Sequence, residues 1–256
     1  MPDILVLREP QSNPLEAELS KAAYPGTLAL EATSDTFTEA LSHGQQSGAI
    51  GAIVTGRLRV DAARAAERFF TVRHAVGVAN VLVFKGGVFG QNTEVPGFIE
   101  PISDLEPGTA LLLGAGTGAR MAAMGLATAG WKVRVWNRTT TKSRVLASSI
   151  ATTSSVELLP NPDPSGCSLI INATSLGKRP GESPPLDWSR ARPKTVVYDL
   201  VWRNVPTEFL RAAALRGFRT VDGRESIVAA VALGLQAITG ETFDRVPLRA
   251  RAGLKI

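Results

Sequence analysis

Three observations on this sequence predict an α/β fold in two domains. Short apolar runs alternate with amphipathic stretches from the first residues to the last hundred. Between the halves lies "EPISDLEPG", residues 100–108, whose two prolines, three acids and glycine read as a hinge. Beyond it the strand-like runs become continuously apolar, and the first of them ends in a glycine-rich turn. Continuous apolar strands separated by helices require a parallel sheet covered on both faces. The prediction is therefore an N-terminal α/β domain followed by a Rossmann-type, doubly wound domain.

The elements follow in order. "ILVL" (4–7), "LALEA" (28–32) and "GAIGAIVT" (48–55) read as strands, with helices over 14–23 and 36–46. "RLRVDAARAAERFF", residues 57–70, spaces its apolar residues as an amphipathic helix with a solvated charged face. "NVLVFKGGVFG" (80–90) reads as a hairpin around Lys85-Gly86-Gly87. After the hinge come a strand in "TALLLGAG", a helix in "TGARMAAMGLATAG" ending at Gly130, and strands in "WKVRVWNR", "SLIINAT", "KTVVYDLV" and "FRTVDG". The last helix, residues 225–239, is apolar nearly all round and is expected to be buried where the two domains meet.

Composition bounds the function. The 256 residues are 44% hydrophobic and 20% charged, ordinary for a globular protein. One cysteine, Cys167, excludes an intrachain disulfide and fits a reducing, cytoplasmic compartment. With only His43 and His74 beside it, no zinc site of the usual spacing assembles, and no metal is expected. The longest apolar run, residues 226–238, is too short to span a bilayer, and the first residues lack the basic start of a signal peptide. The net charge of +5 is spread along the chain without an aromatic–basic reader motif. That argues against nucleic acid and for a small anionic ligand.

Two stretches carry chemistry. "GQNTEVPGF", residues 90–98, crowds Gln91, Asn92, Thr93 and Glu94 together before a turn; such a stretch is either a solvated loop or a polar ligand pocket. "LLLGAGTGARMAA" places Gly114, Gly116 and Ala119 as G-x-G-x-x-A between a strand and a helix. Gly114 allows the tight turn, Gly116 lets a pyrophosphate approach the backbone, and Ala119 permits close helix–strand packing. The helix N-terminus offers free N–H groups to the phosphates. An NAD site would end the next strand in an acid; this one ends in Asn137, Arg138 and Thr139, with Lys142 close behind. A guanidinium there can grip a 2′-phosphate, so NADP is the expected cofactor.

Taken together, "GVANVLVFKGGVFGQNTEVPGF", "GAGTGAR", "WNRTTTKSRVLA", "IINATSLG", "VYDLVW" and "VDGRESIVAAVALGLQAITG" resemble, in order, the motifs of the shikimate/quinate dehydrogenase superfamily. The resemblance covers residues 48–240 well and residues 1–47 loosely. It implies two α/β domains separated by a cleft: residues 1–102, joined by a C-terminal helix within 226–256, for substrate and catalysis, and residues 103–225 for NADP. It implies oxidation of a cyclic polyhydroxy acid, shikimate or quinate, to its 3-keto form, by a monomer or homodimer.

The resemblance also assigns residues. Arg59 and Glu94 fall at the catalytic positions, and Thr55, Asn80, Asn92 and Thr93 at the substrate positions. The cofactor site comprises Gly114, Ala115, Gly116, Thr117, Gly118, Asn137, Arg138, Thr139, Lys142, Asn172, Ala173, Thr174, Leu200 and Gly223. The sequence departs from the family on the substrate side. Arg59 stands for a lysine, Arg57 for a proline, Glu94 for an aspartate, Ala230 for a glutamine and Trp202 for a tyrosine, while "QSNPL" lacks the paired serines. Arginine holds an oxyanion but is a poor proton shuttle. A second reading stays open here: a catalytically reduced homologue that binds NADP(H) as a sensor or interaction protein.

Overall fold

The computed structural model describes residues 3–70, 77–150 and 156–254, so His74 lies outside the described residues. By packing, the chain divides into one unit of Met1–Gly97 with Ile227–Ile256, and a second of Phe98–Ser226.

In the first unit, β1 (Ile4–Arg8) lies between β2 (Thr27–Glu31) and β3 (Gly51–Val54), parallel to both. Ile4 to Leu7 are at most 1% exposed, as a central strand covered on both faces requires. Helix α1 (Leu15–Ala23) joins β1 to β2, and α2 (Phe37–Gln46) joins β2 to β3. Then β5 (Val81–Phe84) and β6 (Val88–Gln91) form the expected hairpin, with Gly86 at φ 66°, and β5 runs antiparallel to β3.

The helix expected over 57–70 is only α3 (Leu58–Ala65). Beyond it Glu67 N–H donates to Val88 O, and Arg68–Phe69 form β4 beside β6. Phe70 stacks on Phe89 with ring centroids 5.2 Å apart. Aromatic β-propensity and an open sheet edge override the helical period there. The completed sheet has the order β2-β1-β3-β5-β6-β4.

"VPGF", read as a turn, belongs to helix α4 (Glu94–Ile99). Asn92 Oδ1 accepts from the N–H groups of Glu94 and Val95, and Pro96 sits in the first turn, where no intrahelical donor is needed. Helix α8 (Gly223–Thr239) is buried along Val228–Ala232 and packs Gly234 against Val81 and Ile53. The C-terminal segment is not one helix: Gly240, at φ 82°, closes α8, and α9 (Arg245–Arg251) then packs on α1.

In the second unit the sheet is wholly parallel. Its strands are β7 (Thr109–Leu113), β8 (Lys132–Trp136), β9 (Val156–Leu158), β10 (Leu169–Asn172), β11 (Val196–Asp199) and β12 (Arg219–Asp222). Their order is β12-β11-β10-β7-β8-β9, the doubly wound arrangement expected from the sequence. Helix α5 (Thr117–Thr128) ends two residues before Gly130, whose φ of 83° closes it. Helices α6 (Thr140–Ile150) and α7 (Glu208–Ala214) cover the sheet. The stretch read as a hinge is partly packed, since Ile102 joins this unit's core with Phe98 and Leu126. No helix among the described residues is long and apolar enough to cross a membrane.

Candidate functional site

In the first unit the chain leaves β1 to one side and returns across it to β3, so the sheet's switch point lies between these strands. Ligands of open α/β sheets bind beyond the carboxyl ends of strands at such points. Register brings the other segments to the same edge: Leu7 pairs with Val54, Ile53 with Val81, and Val81 with Gln91. The loops after β1, β3 and β6 and the start of β5 therefore converge. They carry Glu16, Thr55, Arg59, Asn80, Asn92, Thr93 and Glu94.

The loops after β1 and β3 are tied together, because Glu9 Oε2 accepts from Arg57 N–H at 3.1 Å. Gly56, at φ 63°, makes the sharp turn beside Glu9 that sends the chain into α3. Arg59, in the first turn of that helix, projects to two carboxylates. Its Nη2 lies 2.8 Å from Glu16 Oε1 and 3.0 Å from Glu94 Oε1. These side chains are 21%, 21% and 24% exposed for Arg59, Glu16 and Glu94, open enough for a ligand to reach. Burial pushes the Glu16 carboxyl above the usual carboxylate range, and Glu94 nearby adds to this while Arg59 opposes it. The two carboxylates raise the Arg59 guanidinium further above its ordinary value against the pull of burial, so it is a permanent cation.

Three buried polar atoms in these segments have no hydrogen-bond partner among the described residues: Ser12 Oγ, Thr55 Oγ1 and Arg59 Nε. Buried polar groups are almost always paired, so these atoms keep bonding capacity that the folded chain leaves unused.

The amides and hydroxyl of "GQNTEVPGF" divide their work. Thr93 was assigned to the substrate, but its N–H donates to Asn80 Oδ1 and its hydroxyl donates to Ala230 O and accepts from Asn80 Nδ2. At 1% exposure it latches the loop to α8 rather than offering a group. Asn92 caps α4 through Oδ1, and Asn80 spends one amide hydrogen on Thr93. The stretch is not a solvated loop, since Asn92 and Thr93 are buried.

Glu16 was missed. An acid in the first turn of a helix reads as a partner of the helix dipole. Nothing local ties it to an arginine 43 positions away.

In the second unit the glycine turn lies at the β7/β10 switch point. Gly114, at φ 115°, presses against the loop after β10: a Cβ there would lie 2.7 Å from Ala173 O and 3.0 Å from Thr174 N. Gly116 has nothing within 4 Å of such a position, and Gly116, Thr117 and Gly118 are exposed. Helix α5 starts without a side-chain cap or an acid in its first turn, so its N–H groups stay free for an anion. Ala115 leads into the turn, and Ala119, fully buried, seats the helix on the sheet.

After β8, Asn137 Nδ2 donates to Thr139 O at 2.9 Å and shapes the loop that presents Arg138. Arg138 makes no ion pair or side-chain hydrogen bond with the described residues, and Lys142 is exposed one turn into α6. A helix end with uncapped N–H groups, an uncommitted guanidinium, and no acid at the strand's end fits NADP.

Asn172 does not offer its side chain to a ligand. Its Nδ2 donates to Leu176 O and Asp199 Oδ1, and its Oδ1 accepts from Thr174 N–H and the Thr174 hydroxyl. It pins the loop carrying Ala173, while Leu200 N–H bonds to Asn172 O. Gly223 is buried where a Cβ would lie 2.7 Å from Asp199 O.

Asp199, fully buried, accepts from Asn172, from Val201 N–H and from the Thr207 hydroxyl. Desolvation nonetheless pushes its carboxyl up to about 7. The folded chain then holds a proton that the unfolded chain releases near the ordinary value of 3.8. Stability is fully present below that value and declines as pH rises to about 7, by up to about 4 kcal/mol. Asp199→Asn keeps the two bonds accepted at Oδ1, replaces the acceptor facing the Thr207 hydroxyl by an amide donor, and should remove this slope in melting temperature against pH. A wild-type slope that survives the substitution would refute the assignment.

No protein-family model matches the chain. Among curated relatives, the shikimate dehydrogenase (NADP(+)) of Caulobacter vibrioides is 34% identical over 221 residues, 81% of this chain and 77% of that one. The enzyme of the same name from Nitrobacter winogradskyi is 37% identical over 203 residues, covering 73% of this chain and 70% of its own. Among solved structures, shikimate 5-dehydrogenase of Thermus thermophilus with NADP(H) and shikimate superposes with a TM-score of 0.86 at 26% identity, over 99% of both chains. A 5-ketofructose reductase from Gluconobacter shares the fold at a TM-score of 0.89 and 22% identity, over 99% of this chain and 98% of that one.

Proposed function

The chain belongs to the shikimate dehydrogenase family of NADP-dependent oxidoreductases, and from that premise we propose that it oxidises one ring hydroxyl of shikimate, quinate or a close relative to the ketone. The observation that carries the reading is Arg59, held by Glu16 and Glu94 beside the unpartnered Thr55 hydroxyl at the sheet's switch point. The binding-only alternative is not favoured, because the named curated relatives are dehydrogenases.

We assign the substrate to the first unit and NADP to the second. Bound NADP+ supplies a nicotinamide ring that accepts a hydride. In this reading the Arg59 guanidinium donates to the substrate oxygen, stabilising the negative charge that develops as the alcohol becomes a ketone. Glu94 holds the guanidinium. Thr55 supplies a free hydroxyl to position the ring, and Asn80 and Asn92 offer their remaining amide hydrogens to other ring hydroxyls. The Gly114–Gly118 backbone carries the pyrophosphate, Arg138 the 2′-phosphate, and Lys142 adds long-range attraction. Cytosolic placement is the setting we favour for a chain whose single cysteine, Cys167, is a buried free thiol.

The direct test is NADP+ reduction, followed by nicotinamide absorbance with shikimate and quinate offered separately. Turnover of either is expected, and failure with both would remove this substrate assignment. Arg138→Ala should weaken NADPH by about 10- to 100-fold, the worth of a charge-assisted hydrogen bond, and leave NADH nearly unchanged. Equal losses for both cofactors would place the 2′-phosphate elsewhere.

A further inference from the structure

We propose that Glu16 is the residue that accepts the proton of the reacting hydroxyl, a proton that Arg59 cannot take. The inference rests on the dehydrogenase reading above. Hydride removal from an alcohol carbon leaves an O–H proton that needs an acceptor near neutral pH, and a guanidinium is always protonated. The group at hand must therefore be a carboxylate beside Arg59.

Glu16 lies against the guanidinium with one carboxylate oxygen to spare. Its Oε1 is fixed 2.8 Å from Arg59 Nη2, and no hydrogen bond to Oε2 is found among the described residues. One oxygen is thus anchored to the group that steadies the oxyanion, and the other is free. The side chain leaves the first turn of α1, just beyond the β1 loop that holds the unpartnered Ser12 hydroxyl. The charged groups that bear on it are Arg59 of α3 and Glu94 of α4; none on β1, β2 or α9 does, among the described residues. Its raised carboxyl range supports the same role, because a base is most effective when its own pKa approaches the working pH.

The step balances. The carbinol C–H leaves as hydride to NADP+, the O–H proton passes to the Glu16 carboxylate, and the C–O bond becomes a carbonyl. The products are ketone, NADPH and protonated Glu16. Glu94 Oε1, 3.0 Å from the same Nη2, also holds the guanidinium.

Glu16→Gln tests this on the full chain. The expected result is a kcat lower by about 100-fold or more, loss of the acidic limb of the kcat–pH profile, and an unchanged NADPH dissociation constant. Glu16→Asp should recover part of the rate. Wild-type kcat with an intact acidic limb in Glu16→Gln would overturn the inference.

A second readout does not depend on turnover. With 13C-carboxyl-labelled glutamate, one resonance should titrate above the ordinary carboxylate range in the wild type and be missing from Glu16→Gln. If neither shikimate nor quinate reacts, the substrate assignment falls, and this titration still tests whether Glu16 is poised to act as a base. An ordinary titration for its carboxyl would overturn the inference.

Discussion

Arg59→Ala is expected to lower NADP+-dependent turnover by about 100- to 1,000-fold, the usual loss when a donor to a developing oxyanion is removed. It also leaves Glu16 and Glu94 facing each other without the cation that both contact. Both side chains are about one-fifth exposed, so solvent softens this, and a destabilisation of about 1–2 kcal/mol follows. Its pH dependence has a definite sign. Arg59 holds the Glu16 carboxyl down against burial, so without it that carboxyl rises further; stability holds where it is protonated and is lost as pH increases through its folded value. The deficit in melting temperature should be larger at alkaline than at acidic pH. Arg59→Lys, which retains a cation, should keep more of both activity and stability. Wild-type turnover in Arg59→Ala would remove the residue from the chemistry.

Gly114→Ala should lose both stability and cofactor, whereas Gly116→Ala should lose cofactor alone. At Gly114 the backbone has φ 115°, and an added methyl meets the Ala173 carbonyl at 2.7 Å. That carbonyl cannot withdraw, because the adjoining Asn172 holds the loop through four hydrogen bonds. Strain and overpacking together cost about 2–5 kcal/mol. At Gly116, φ is −87° and no atom lies within 4 Å of the methyl position, so the melting temperature should not move. The methyl would instead stand where the pyrophosphate approaches, and NADPH should bind at least about tenfold more weakly. Thermal denaturation and NADPH fluorescence titration separate the two effects. A stable Gly114→Ala, or a Gly116→Ala with unchanged NADPH affinity, would contradict the roles assigned to the turn.

The two units differ in how much of them could be read from the chain. The dinucleotide side was legible because its signals are local: strand, glycine turn and helix are adjacent, and Arg138 lies at the end of the next strand. The first unit was less so. The apolar period of residues 57–70 suggested a long helix, but Phe69 and Phe70 were drawn to the edge beside Phe89. Pro96 and Gly97 suggested a turn, but Asn92 capped a helix over them. Gly97 is needed there for a different reason, since a Cβ would lie 2.7 Å from Ala230 N.

By itself, the sequence determined the α/β class, the parallel second sheet, the glycine turn between strand and helix, and NADP as the cofactor. Each of these depends on the period of apolar residues or on backbone freedom within a few positions. Only the tertiary structure decided that Thr93 is a latch, that Asn172 is a pin, and that Glu16 joins Arg59 and Glu94. Hydrogen-bonding capacity is a property of a side chain, but its use depends on which strands lie side by side. Glu16 and Arg59 meet because β1 and β3 are neighbours in the sheet. Strand order is set by the burial of the whole apolar surface, not by any residue near the site.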